Sequence, residues 1–421
     1  MEKKKLLNQK QLSFVALMLG GGAIYKLYFI DSVFYIQMQK FMGLSHTQIG
    51  LLYSIAGIVT TIGFLTAIFI TDRFSKKKMI PFALIVNGLA GLGMATFPSF
   101  PTLLILYCCF AICSDMLFWP TMLKTIRLMG SETDQGRMFG FLESGRGLID
   151  TIIAFAGLGI FTMLGSGALG FKGAIIFFAG LAIVLGIFSY FAIEDDEISK
   201  VAKSSERNKI AFEGMMKAFK NIGIWIVAFN IFSVYTVYIG IRYFVPFLED
   251  IYSIPIALAS AYGIINGYVL KMVGGPIGGY ISDKVTKSAA KFIRIMLIIT
   301  FIFLSINILL PHGKISVYIA FVISISIASS IFCMRAVYFA SMEEVKVPRE
   351  ITGSAMALGS FIGYLPGAFM ATIYGSILDS NPGLTGYKLV FTTMAVLCLL
   401  GVFVSSILVK RIKKVNELGN A

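Results

Sequence analysis

Nine ionisable residues stand inside long apolar runs of this chain: Lys26, Asp31, Asp115, Glu143, Arg146, Asp150, Arg242, Lys271 and Arg335. A charged side chain left facing lipid costs roughly 3 kcal/mol on insertion scales, so each must face a protein interior or a wet cavity. Glu143, Arg146 and Asp150 are spaced i, i+3 and i+7, one face of a helix. That triplet can partly neutralise itself, as a fixed salt-bridge stripe or as one side of a charge pair formed in only one conformation. Asp31 and Asp115 are lone carboxylates, the latter one turn before Trp119 and close to the helix-bending Pro120. Two roles fit them: proton carriers whose affinity is raised by burial, or fixed counter-ions, for Lys26 or another cation. Lys26, Arg242 and Arg335 are cations that would favour an anion, a carboxylate or a phosphate. Tyr25 and Tyr28 flank Lys26, and Tyr235 and Tyr238 precede Arg242, which makes these rings candidate substrate contacts beside their bland role in packing.

The elements that must position these residues are set by composition. The 421 residues are 57% hydrophobic and 14% charged, with mean hydropathy +0.83, too little polar material to cover a water-soluble globule. The apolar runs approach the ~20 residues that cross ~30 Å of hydrocarbon as a helix, which excludes a β-barrel. Spans are expected at about 12–36, 48–70, 79–97, 101–123, 138–164, 173–193, 222–248, 256–281, 295–310, 315–340, 352–378 and 387–409. The chain therefore reads as an all-α membrane protein of twelve transmembrane helices. Its first run follows Lys3, Lys4, Lys5 and Lys10 like a signal peptide. It is about 25 residues long and has no small-residue cleavage site after it, so it is expected to stay.

The net charge of +14 is a topology signal rather than a nucleic-acid footprint. With a cytoplasmic amino terminus, 27 of the 36 Lys and Arg residues flank inner segments, which places both termini in the cytoplasm. The five cysteines all fall inside spans without metal-ligand spacing, and no Gly-Lys-Ser or Gly-Lys-Thr phosphate loop is present. Neither a metal nor another cofactor is expected.

The longest polar stretch, 194–221, carries Glu194-Asp195-Asp196-Glu197 and then Lys200, Lys203, Arg207 and Lys209, and reads as a cytoplasmic linker between six spans (1–193) and six more (222–421). The halves repeat weakly. Phe69-Ile70-Thr71-Asp72-Arg73 answers Tyr280-Ile281-Ser282-Asp283-Lys284, Lys76 answers Lys287, and Tyr25 and Tyr28 answer Tyr235 and Tyr238. The segment 68–77, with Asp72-Arg73 followed by Lys76-Lys77, resembles the G-x-x-x-D-R-x-G-R-K loop of the major facilitator superfamily. It departs from that pattern at Ile68 and Ser75, where glycines are usual, and the second half keeps Gly279, Asp283 and Lys284.

The resemblance implies two six-helix bundles rocking about a central site, with Asp72 and Arg73 either as a cytoplasmic latch or as polar loop residues that only set topology, and with Asp283, in the degenerate second-half copy of the loop, among the gating groups. It also implies that the first, fourth, seventh and tenth spans line the cavity, and that the fifth faces the eighth. Lys271 would then face the Glu143, Arg146 and Asp150 triplet, and a charge pair formed in only one access state would serve as a gate. Arg242-Tyr243 looks like the Arg-Tyr of organophosphate and organic-anion transporters in that superfamily. The first-span counterpart departs, because Phe29 stands where an arginine belongs and Lys26 lies nearly one turn away.

The expectation is a monomeric secondary transporter in the cell membrane. It would move a small organic anion by alternating access, coupled to a proton or a counter-anion. The main rival is a proton-coupled exporter of drugs or other apolar compounds. The exporter-type Gly-Pro motif is missing from the fifth span, where Gly157 and Gly159 have no proline nearby. A membrane enzyme is a remote reading, because the two histidines, His46 and His312, fall in outer loops away from any acidic cluster. A transport-dead sensor would be told apart by flux in proteoliposomes.

Overall fold

The computed structural model describes residues 2–73, 75–129, 135–194, 213–348 and 351–418; for 2–8, 64–73, 127–128, 135–137, 139–140 and 353 it describes the backbone alone. Among these residues every regular element is a helix. That is the outcome hydrocarbon imposes on an open chain, since a helix satisfies its own backbone donors and acceptors.

The first expected span is three helices in line: α1 (Glu2–Ala23), the one-turn α2 (Tyr25–Tyr28) and α3 (Asp31–Met42). Next come α4 (His46–Arg73) and α5 (Lys76–Met94). The fourth span is α6 (Phe100–Ala111), a π-helical stretch at Ile112–Phe118 and α7 (Trp119–Met129). Pro120 follows the π stretch, and its missing N–H and its ring disturb the carbonyl four residues back, at Met116. Then come α8 (Gln135–Met163) and α9 (Ala168–Ala192).

The second half opens with another broken helix: α10 (Ile222–Gly240), a 3₁₀ turn at Ile241–Tyr243 and α11 (Phe244–Tyr252). Pro246 accounts for that break, since its ring crowds the carbonyl of Arg242. Asn221 starts α10 by accepting the Gly223 N–H at 2.9 Å. There follow α12 (Ile256–Ile264), a π stretch at Ile265–Val269, α13 (Leu270–Tyr280) and a second π stretch at Ile281–Thr286. The remaining helices are α14 (Ala289–Leu309), α15 (Val317–Val337), α16 (Ser341–Glu344), α17 (Thr352–Tyr364), α18 (Met370–Ser380) and α19 (Leu384–Leu418). A 3₁₀ turn at Leu365–Ala368, carrying Pro366, separates α17 from α18.

Ten stretches among the described residues are helical, long and apolar enough to cross a membrane. They match ten of the twelve expected spans. The other two positions are held by α4, of 28 residues, and α5, of 19 residues. α5 takes Lys76, Lys77 and Lys78 into its first turn, which shortens its apolar part.

The chain folds into two compact units: Met1–Lys200 with Pro255–Val269, and Val201–Ile254 with Leu270–Ala421. In the first, α5 lies tightly along α9. A Cβ added at Gly88 would stand 2.6 Å from the Ala179 carbonyl oxygen, so glycine sets the helix separation there. Gly21 is similarly close-packed, with the Arg146 side chain lying across it. In the second unit, α13 and α15 approach through Gly274 and Gly278 against the backbone of Phe332 and Cys333. There α10 and α19 are joined by a buried hydrogen bond from Ser405 to Asn230 at 2.6 Å. The linker residues 195–212 lie outside the described residues.

Gly88→Ala should lower the unfolding free energy by about 1–3 kcal/mol, because the new methyl meets backbone that cannot rotate away. Gly180→Ala, on the same helix pair but with open space around it, should stay within ~0.5 kcal/mol of wild type. Thermal unfolding of the purified protein in detergent compares them, and equal losses would remove the close-packing account of this helix pair.

Candidate functional site

In the first unit the short α2 places Lys26 in the interior, where its side chain is 2% exposed and forms an ion pair with Asp150 of α8. The Tyr268 ring covers the same ammonium, 3.5 Å from Nζ to the ring centroid. Arg146, one turn before Asp150, bonds Glu143 at 2.7 Å and lies over the Trp119 ring at 4.7 Å. The spacing suggests a self-neutralising triplet. Only Glu143 and Arg146 behave so, while Asp150 turns to a different helix because α1 and α8 are close-packed at Gly21. The counter-ion of Lys26 is therefore Asp150.

Asp31 is fully buried and accepts a hydrogen bond from Tyr53. Around it Tyr28, Phe29, Tyr53 and Tyr107 form an aromatic cluster, with Tyr28 and Phe29 stacked at 4.4 Å. Asp115 projects from the π-helical stretch. Tyr25 donates to its Oδ1 at 3.0 Å and Thr60 to its Oδ2 at 2.6 Å. Among the described residues no Lys or Arg is ion-paired with Asp115.

The second unit gathers a different chemistry. The Arg335 guanidinium lies 3.7 Å from the Tyr238 ring centroid and 5.8 Å from that of Tyr235. Tyr338 and Tyr364 add two hydroxyls 2.9 Å apart, and the Tyr364 ring lies against that of Tyr235 at 4.9 Å. Arg335, Lys271 and Arg242 all act electrostatically on Tyr238. Arg335 is half-buried, and among the described residues no carboxylate is ion-paired with it and its buried Nε has no hydrogen-bond partner. Tyr243, next to Arg242, is fully buried and donates to the Ala371 carbonyl at 2.6 Å, a packing role.

Asp72 and Arg73 close α4, and their side chains lie outside the described residues. Asp283 is exposed and lines a cavity of about 460 Å³ in the second unit, together with Lys287, Glu343 and Glu344. Glu344 there accepts from the Ser288 hydroxyl at 2.8 Å and from the first backbone N–H of α14. Of the histidines, His46 bonds Tyr35 at 2.8 Å and His312 bonds Tyr252 at 2.6 Å. Burial holds His312 below the ordinary imidazole pKa, the Asn307 carbonyl opposing and Lys388 reinforcing the shift.

A sequence model of the Major Facilitator Superfamily matches residues 14–371. The chain belongs to the Major Facilitator Superfamily. It is similar to the inner membrane protein YihN of Escherichia coli (strain K12), 43% identical over 97% of each chain. To the inner membrane protein YqcE of the same organism it is 28% identical over 90% of each. Among solved structures, a bacterial homolog of the human lysosomal transporter Spinster, inward-facing and unoccupied, superposes with TM-score 0.78 at 15% identity, covering 97% of this chain and 98% of that one. A mutant form of the nucleoside transporter NupG gives TM-score 0.73 at 15% identity, over 96% and 99% of the two chains. At such identities these structures share the fold alone. As a superfamily member the protein is a multi-pass transporter of the cell membrane that acts on a small-molecule substrate.

Several site residues had no signal of their own in the sequence. Tyr338 stands one helical turn after Arg335, so spacing could have found it. Tyr364, Thr60, Tyr53 and Tyr268 reach their partners only through tertiary packing.

Asp150→Asn should lower stability by about 3–5 kcal/mol, because it strands a buried ammonium. Adding Lys26→Met should recover a large part of that loss, which a double-mutant cycle of thermal unfolding would read. Strictly additive losses would mean the pair is not coupled.

Proposed function

We propose that this chain is a secondary active transporter that moves a small organic anion, a carboxylate or phosphate ester, by alternating access. The observation that carries this reading is the set of cations around Tyr238: Arg335 stacked on its ring, with Arg242 and Lys271 acting on the same phenol. A guanidinium held over a ring keeps its charge, and its fork of N–H donors is the set that binds a carboxylate or phosphate bidentately. Arg335, Arg242, Tyr235 and Tyr238 are the proposed anion contacts. Lys26, expected to share that work, already has its charge matched by Asp150, and Tyr25 serves Asp115. We assign coupling to Asp115 and Asp31, and keep Asp72, Arg73, Asp283, Lys271 and the Glu143, Arg146 and Asp150 face as gating groups. A D-xylose–proton symporter has the same fold, with TM-score 0.73 at 15% identity over 94% of this chain and 96% of that one. Cation coupling is the counterpart proposed here.

The proposal includes twelve spans with both termini in the cytoplasm, α4 and α5 supplying the second and third, a cytoplasmic linker at 194–221, and action as a monomer. The excess of Lys and Arg on inner segments supports that orientation. A reporter fused after Ala421 should be active when it requires the cytoplasm and silent when it requires the periplasm, and the reverse result would overturn the orientation.

A charged hydrogen bond contributes ~1.5–3 kcal/mol, so Arg335→Gln should weaken binding of an anion selected by thermal-shift screening roughly ten- to a hundredfold. Arg335→Lys should restore little of it, because the ammonium lacks the fork. Calorimetry reads both variants. Unchanged affinity, or a ligand that proves neutral or cationic, would sink the anion assignment and leave the transporter standing.

A further inference from the structure

Asp115 is a carboxylate without a cationic partner among the described residues, whereas the other acids within the spans of its unit are held differently. Asp150 has Lys26, Glu143 has Arg146, and Asp31 is enclosed and fully buried. Asp115 is half-buried, as are Thr60 and Tyr25, so none of the three is sealed within the protein. Both of its oxygens already accept a hydroxyl hydrogen, from Tyr25 at 3.0 Å and Thr60 at 2.6 Å. That arrangement suits the ionised form, because a protonated carboxyl has to become a donor and surrender one of these bonds. A negative charge in such surroundings calls for a counter-charge.

We infer that Asp115, Thr60 and Tyr25 form a binding site for a sodium ion, the coupling ion of the transport reaction. Four oxygens from three elements are linked by two hydrogen bonds: the two carboxylate oxygens of Asp115 in the π-helical stretch, Oγ1 of Thr60 in α4 and Oη of Tyr25 in α2. Each keeps lone pairs free, and a hard monovalent cation uses lone pairs without asking for a donor. One carboxylate matches one positive charge, where a divalent ion is usually held by several. Arg146 is the cation whose charge reaches Tyr25, and its own partner is Glu143 at 2.7 Å.

The coupling role rests on the transporter reading, and the binding is independent of the anion. The test uses the full-length protein in detergent at pH 7.5, with NaCl replacing KCl at constant ionic strength and thermal unfolding as the readout. Wild type should show a saturable, sodium-specific rise in Tm. Thr60→Val should raise the apparent Kd about tenfold and Asp115→Asn should abolish the response. Thr60→Ser, which keeps the oxygen, should retain it, and Tyr25→Phe gives a second loss of one ligand if Thr60→Val folds poorly. Arg335→Gln should respond to sodium as wild type does, so failure of the anion reading and failure of the sodium site are told apart. No sodium-specific shift in wild type, or an unchanged shift in Asp115→Asn, overturns the inference. A Tm that follows pH and ignores sodium also overturns it and makes Asp115 a proton site.

Discussion

A charge placed in hydrocarbon must be neutralised by something within reach, and the arrangement around the buried Lys26–Asp150 pair follows from that requirement. The pair joins the interrupted first helix to α8, and the Tyr268 ring seals the ammonium from the other side. Close approach of α1 and α8 is a precondition. At Gly21 any side chain would meet Arg146, so glycine there leaves room for the arginine that lies over Trp119 and bonds Glu143 on its own helix. Packing and electrostatics are one problem in this unit, because a wider helix separation would part Lys26 from Asp150 and leave a buried ammonium unmatched.

Helix interruptions are the second device. The first and seventh spans break close to their cations, at α2 for Lys26 and at the 3₁₀ turn for Arg242, and the fourth widens into a π-helical stretch at Asp115. Proline explains two of these three breaks through the carbonyl four residues earlier. The break at α2 follows three consecutive glycines, which weaken the helix without dictating where it ends. An interrupted helix turns a polar side chain and loosened backbone toward the protein interior, as transporters require at a site within the membrane.

The two units hold opposite chemistry on the same ground plan. In the first, Asp115 is a carboxylate held by two hydroxyl donors, and in the second Arg335 is a guanidinium set among tyrosine rings; among the described residues neither is ion-paired. Aromatic faces stabilise the guanidinium without cancelling its charge, and hydroxyl donors do the same for the carboxylate. Each group is thus preorganised and still able to take an ion of opposite sign.

The sequence by itself determined the class of protein, because a chain this apolar can satisfy its backbone in lipid only as helices, and the length of the apolar runs places them. It also named the nine charges within spans, since a charge inside an apolar run is visible without a structure; which of them are buried was not visible, and Glu143 and Lys271 prove exposed where Lys26 and Asp31 are enclosed. Helical spacing grouped Glu143, Arg146 and Asp150, of which the first two pair with each other and the third with Lys26, and the repeat brought Tyr235 and Tyr238 to notice. Partners were another matter. Lys26 lies five residues from Asp31 and well over a hundred from Asp150, yet the distant carboxylate is its partner. Thr60 on Asp115, Tyr268 on Lys26 and Tyr364 beside Tyr235 carry no periodic or motif signal. Which charge is matched and which is left open depends on how helices remote in sequence lie against one another, and tertiary packing alone decides that.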